Sequence, residues 1–197
     1  MSGPDSAPAS ALPGGLALGS RPADVVELAA LRERAHVLRA LATRRGLSLP
    51  AFGRLTHAGE TLLLCVRPER WLILTPPAAP GAAAAAWQEA CSGIAAAVEL
   101  SSALVGLTLR GAQAREALAR GCRLDLDAAV FPAGHAAATL IAQVPVLLAA
   151  LPGELLLLTP ATTARHFREW LAATARPFGL TADGNASVAA MSAERVT

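Results

Sequence analysis

Four histidines, three cysteines and a few carboxylates are the side chains of this 197-residue chain whose types could carry chemistry. No two of His36, His57, His135 and His166 stand at a metal-ligand spacing. His36 and His166 fall in helical segments close to arginines, and His57 falls at a hairpin tip, so all three read as surface positions. His135 follows the turn Phe131-Pro132-Ala133-Gly134 and is the best placed of the four, although a turn histidine ordinarily faces solvent. Asp125 and Asp127 lie two apart in Leu124-Asp125-Leu126-Asp127, and an extended segment would point both to one side. Paired carboxylates do acid–base work when their surroundings separate their pKa values. The plainer account is a solvated edge with both leucines turned inward. Glu99 is the other acidic residue flanking this central block. Cys65, Cys91 and Cys122 are odd in number, far apart and without a Cys-x-x-Cys, which reads as buried reduced thiols in a cytoplasmic protein. There is no Gly-x-Gly-x-x-Gly, phosphate loop or Gly-x-Ser-x-Gly; Pro13 to Gly19 is glycine-rich but has no strand before it. The residues therefore favour binding or scaffolding over catalysis by this chain alone.

Composition points the same way. Charged residues are 16 %, against about 25 % in a usual soluble domain. A shortage of charge leaves apolar surface that another protein could bury. Mutational bias is the other account: all 17 basic residues are arginine, as a GC-rich genome would produce. A net charge of +2, scattered arginines and only 4 % aromatics argue against nucleic acid and against an anionic membrane surface. The apolar run Ala136 to Leu151 is interrupted by Gln143 and Pro145 and reads as two buried strands, not a membrane span.

The elements that must position these residues follow from periodicity. Residues 1–21 read as a disordered arm and 181–197 as a flexible tail. Between them, 22–180 reads as one α+β unit of two halves, about 22–100 and 101–180. The first half begins with a helix expected over Ala23 to Arg45, on the spacing of Val25, Leu28, Leu31, Ala35 and Leu38. Strands are expected at Phe52–Thr56, Thr61–Val66 and Trp71–Thr75, then a helix from about Ala82 to Ala97. The second half repeats the grammar: a strand at Leu104–Leu109, a helix at Ala112–Arg120 stopped by Gly121, strands at Ala138–Gln143, Val146–Ala150 and Glu154–Thr159, and a helix at Thr162–Ala175.

A direct echo supports duplication. ERWLILTP at Glu69–Pro76 and GELLLLTP at Gly153–Pro160 share Leu-x-Leu-Thr-Pro, 84 positions apart, and each precedes a helix bearing a tryptophan, Trp87 and Trp170. The expectation is two plait-like halves, each a split βαβ arrangement.

The block from Arg110 to Gly134 resembles the gamma subunit of heterotetrameric sarcosine oxidase. Its pattern reads Gly111-x-x-Ala114-Arg115-x-x-Leu118, then Gly121-Cys122-x-Leu124-Asp125-Leu126, then Phe131-x-x-Gly134. Pro68-Glu69-Arg70-Trp71-Leu72 is similar to the family's Pro-x-x-Trp-Leu, and Trp170-Leu171 with Phe178-Gly179 to its C-terminal pairs. Two places depart from the pattern: Val98-Glu99-Leu100-Ser101-Ser102 stands where the family has Val-Asp-x-Ser-His, and Pro160 to Thr163 where an Arg-Ser pair commonly opens the last helix.

The resemblance implies a fold similar to folate-binding aminomethyltransferases. It implies a non-catalytic subunit partnered by alpha, beta and delta subunits in an enzyme that demethylates sarcosine to glycine and passes a one-carbon unit to tetrahydrofolate. FAD, FMN, NAD and zinc then belong to the partners, and this chain binds no cofactor and no metal. The departures leave open a related N-methylglutamate dehydrogenase-type complex. A stand-alone folate-binding or aminomethyl-transfer protein is the other alternative, with Glu99 and Asp125 as the candidates to grip the pterin. The motif residues Trp71, Gly111, Arg115, Gly121, Cys122, Asp125, Phe131, Gly134 and Trp170 are expected to act structurally.

Overall fold

The structure is a computed structural model that describes residues 15–180. Residues 1–14 of the arm expected over 1–21, and the tail expected over 181–197, lie outside the described residues. Strands are β1 (Ala17–Ser20), β2 (Asp24–Ala30), β3 (Arg54–Ala58), β4 (Thr61–Arg67), β5 (Arg70–Thr75), β6 (Ala95–Glu99), β7 (Leu104–Arg110), β8 (Ala136–Ile141), β9 (Val144–Leu151) and β10 (Glu154–Pro160). Helices are α1 (Ala35–Arg44), α2 (Ala82–Ala90), α3 (Ala114–Ala119) and α4 (Ala164–Ala175), with a 3-10 turn at Arg176–Phe178.

Two antiparallel five-stranded sheets result, ordered β3-β4-β5-β2-β6 and β8-β9-β10-β7-β1. Position for position, β2, α1, β3, β4, β5 and α2 of the first half correspond to β7, α3, β8, β9, β10 and α4 of the second. The echoed segments fall on equivalent strands, β5 and β10. In the first half β5 and β6 both run antiparallel to β2, which lies between them, so β5–α2–β6 is a split βαβ unit. In the second half the place beside β7 is taken by β1, from the other end of the described chain, with Ala17–Ser20 paired to Arg110–Leu107.

Three of the expectations need correcting. The arm over 1–21 fails at its inner end: Leu16 and Leu18 are buried, and Ala17–Ser20 is a sheet strand. The single helix over Ala23–Arg45 is strand β2 followed by α1. Val25 packs between the sheets while Val26 and Leu28 pack under the helices, so burial on both faces hides the alternation. The helix expected to Ala97 stops at Ala90; Gly93, at φ +70°, turns the chain into β6.

The layers stack helix, sheet, sheet, helix. Leu63, Cys65, Trp71 and Ile73 face α1 and α2, whereas Leu62, Leu64, Leu72 and Leu74 face the second sheet. There they meet Ala149, Leu151, Leu156 and Leu158, while Leu155 and Leu157 turn to α3 and α4. This double burial explains the unbroken leucine runs of β4 and β10. Ala136 to Leu151 forms a hairpin of β8 and β9 as expected. Its two-residue turn puts Ala142 and Gln143 at φ +50° and +66°, the double positive-φ geometry of a type I′ turn. No helix among the described residues is long and apolar enough to cross a membrane.

Candidate functional site

The central motif holds a corner of the second half together. Arg115, on α3, donates from one guanidinium nitrogen to the carbonyls of Leu126 and Phe131, 2.8 Å each, and so ties the loop after α3 to the helix. Charge-assisted bonds of this kind are the strong ones. Leu126 and Phe131 are buried, and the exposed Asp125 and Asp127 each accept the N–H two residues ahead, at 2.9 and 2.8 Å. The leucines turn inward and the carboxylates outward, but through two successive Asx turns and not along an extended strand.

Glycines in the motif make room. A Cβ on Gly121 would stand 2.7 Å from Trp170 Cη2, and one on Gly111 would stand 2.7 Å from the Gly15 carbonyl. Gly111 also holds φ +120°, which L side chains rarely adopt. Trp170 in turn stacks on Phe167, centroids 6.0 Å apart. Cys122 makes a single antiparallel bridge to Ile141. Gly134 joins the halves: its carbonyl accepts the Leu55 N–H at 3.0 Å, and Ala136 N–H donates to Gly53 at 2.9 Å. Beside this seam an Arg54 guanidinium nitrogen lies 2.6 Å from His135 Nε2. His135 Nδ1 lies 3.1 Å from the Pro132 carbonyl and 3.0 Å from the same Arg54 nitrogen. His36, His57 and His166 are exposed.

In the first half Trp71 is fully buried; its Nε1–H donates to the Pro50 carbonyl at 2.8 Å, and Arg39 lies over its ring. All three cysteines are free thiols, with Cys65 and Cys91 buried and Cys122 partly so. Burial pushes the Cys65 and Cys91 thiols above their ordinary pKa, which keeps them protonated and unreactive. Among the described residues no three His, Cys, Asp or Glu side chains gather as metal ligands would.

A groove of about 730 Å³ opens where the edges of the two sheets meet. Its walls are the β1–β2 connection from Ser20 to Val25, the Pro77–Gly81 loop before α2, and the β6–β7 connection from Glu99 to Gly106. The polar wall is a relay: Val25 N–H donates to Ser101 Oγ at 2.8 Å, and Ser101 Oγ–H donates to Glu99 Oε1. The Glu99–Ser101 pair occupies the place of the family's Asp-x-Ser. Asp24 accepts the Ala78 N–H at 2.8 Å, which pins the proline loop. Arg21 pairs with Glu154, which also takes Arg110 at 2.6 Å. A Cβ on Gly106 would stand 2.5 Å from the Arg21 carbonyl, so only glycine lets the β1–β2 connection lie against β7.

Of the two acidic residues named from sequence as pterin candidates, Glu99 lines the groove and Asp125 does not. Sequence reasoning missed Asp24, because it fell inside the expected helix, and missed the groove-forming role of Arg21, because it fell in the expected arm. The departure at Glu99 to Ser102 was the signal that marked the place.

Fold and side-chain geometry together define a class: a two-sheet α+β protein of two corresponding halves whose motif residues brace loops and helices. The chain belongs to the sarcosine oxidase gamma subunit family, which matches it over residues 32–175. It is similar to a chain of the heterotetrameric sarcosine oxidase from Corynebacterium sp. U-96 solved in complex with pyrrole 2-carboxylate, at 25% identity and TM-score 0.75, over 87% of this chain and 89% of that one. It is also similar in fold to the glycine cleavage system aminomethyltransferase T from Bartonella henselae, at 17% identity and TM-score 0.57, over 80% of this chain and 45% of that one. No curated protein sequence matches.

Proposed function

We propose that the chain is a non-catalytic structural subunit of a heterotetrameric sarcosine oxidase-type flavoenzyme in the cytoplasm. The carrying observation is the likeness over nearly the whole length of both chains to a chain of such an enzyme, joined to the family match. Alpha, beta and delta subunits are its partners; FAD, FMN, NAD and zinc sit on them, and the complex demethylates sarcosine with one-carbon transfer to tetrahydrofolate. Two observations on the chain's own surface support an assembled role. Charged residues are scarce, and Phe52, Val130, Val98 and Leu31 leave large apolar side chains exposed, Phe52 by 64%.

Co-expression of the tagged chain with its genomic neighbours tests the reading. The expected result is a stable complex carrying bound flavin and forming hydrogen peroxide with sarcosine. A monodisperse monomer that retains no flavin-bearing partner refutes it. Turnover of N-methylglutamate in place of sarcosine would assign the complex to the related dehydrogenase type.

A further inference from the structure

The groove between the sheets contains an unfinished electrostatic site. Glu99 Oε1 is engaged by the N–H and hydroxyl of Ser101, whereas Glu99 Oε2 is shielded from water and accepts no hydrogen bond. A carboxylate oxygen in that state bears a desolvation penalty, and no donor among the described residues bonds to it. Among the described residues no arginine or histidine pairs with Glu99: the ion pairs are Arg21 and Arg110 with Glu154, Arg70 with Glu27, and Arg165 with Glu169. The arginine that lines the groove, Arg21, is engaged by Glu154. Asp24, on the same walls, adds a second carboxylate. Around these charges the lining is apolar, from Pro22, Pro77, Pro80, Leu104 and Leu158. A volume of about 730 Å³ lies within the range of small-molecule sites.

The geometry points to a binding site for a small organic cation, a protonated amine or amidinium on an apolar body, held by Glu99. A small rotation of the Glu99 carboxylate brings Oε2 to the groove, where the ligand's N–H donors complete its coordination and neutralise its charge, and the ligand's body displaces water from the proline and leucine walls. Ser101 anchors the carboxylate at Oε1, and the Val25 N–H holds Ser101, so Oε1 stays in place while Oε2 turns to the ligand. The site stands whether or not the chain assembles with partners.

The test uses the full chain with benzamidine as the probe cation, and benzyl alcohol and benzoate as neutral and anionic counterparts of similar shape. Amide NMR signals are followed during titration. Benzamidine is expected to shift Ser101, Ser102 and Leu104 saturably, with neither counterpart doing so. Glu99→Gln, which keeps the side-chain shape, is expected to weaken benzamidine at least tenfold. Ser102→Trp, at an exposed position on the rim, is expected to block it while the remaining spectrum stays folded. Equal binding of benzyl alcohol, unchanged affinity in Glu99→Gln, or no saturable shift would each overturn the assignment. Repeating the titration on the chain bound to its co-purified partners separates two sources of the cation. Retained binding supports a free small molecule; lost binding means that a cationic side chain of a partner fills the site, which overturns it.

Discussion

Replacing Gly121 by alanine isolates one steric contact at the centre of the family motif. Gly121 is not among the glycines at positive φ, so the backbone accepts alanine there and the cost is packing alone. The new methyl would sit 2.7 Å from Trp170 Cη2 and 3.3 Å from the Ala142 nitrogen. The Ala142 N–H donates to the Gly121 carbonyl at 3.0 Å, which pins the backbone, so the indole has to move. Moving it disturbs the stack on Phe167, whose ring planes are 13° from parallel. Overpacking of this kind costs about 1–3 kcal/mol. For a domain of this size that corresponds to a fall in Tm of roughly 2–4 °C per kcal/mol. Urea denaturation followed by circular dichroism measures the change. Trp170→Phe removes the ring atoms that collide, so the double variant should recover at least about 1 kcal/mol relative to additivity. Gly59→Ala is the control: it sits at φ +58° with nothing near its Cβ, so it should cost about 1–2 kcal/mol in backbone strain and gain nothing from Trp170→Phe. A Gly121→Ala protein within about 0.5 kcal/mol of the parent, or a double variant that is simply additive, would refute the reasoning.

Leu18→Ala should destabilise by about 2–5 kcal/mol, as a core truncation does, because β1 belongs to the second core and not to an arm; an unchanged urea midpoint would contradict this. Arg115→Ala should cost about 1.5–3 kcal/mol for each charged hydrogen bond lost to Leu126 and Phe131, with Arg115→Lys recovering part of it in the same denaturation assay. In thiol labelling at pH 8, Cys122 should react well before Cys65 and Cys91. The raised pKa of the two buried thiols means that the folded state holds those protons more tightly than the unfolded state. Their contribution to stability is therefore complete at neutral pH and declines as pH rises through and above the ordinary thiol range, which denaturation between pH 7 and 10 would show.

The second half was easier to read than the first, for a physical reason. In β7 to β10, apolar runs are punctuated by Gly111, Gln143, Pro152-Gly153 and Thr159-Pro160, so each strand has marked ends. In Asp24–Ala30 no such punctuation separates strand from helix, and a strand buried on both faces shows the same continuous apolarity as a buried helix. β6 opens with three alanines, the strongest helix former, and its pairing to β2 makes it a strand. β1 is four residues in a Gly- and Pro-rich context whose partner lies some ninety positions away, beyond the reach of any local signal. Glu99 was visible through its family motif. The groove around it was not, because Asp24, Pro77 and Gly106 come together only through the crossing of the two sheets.

The borrowed strand gives the molecule the connectivity of an opened ring. An ideal Cβ on Gly15 would lie 3.1 Å from the Gly179 carbonyl, so the path into β1 starts where the path out of α4 finishes. A circular permutant that links Leu180 to Gly15 and opens the chain between β6 and β7 would turn β10–α4–β1 into a continuous counterpart of β5–α2–β6. In the native order, by contrast, the first strand among the described residues has its place only after β7 has followed it. The second sheet thereby closes across both ends of the described chain, and the second half cannot be excised along the sequence with its own sheet intact, whereas Asp24 to Glu99 carries all five strands of the first.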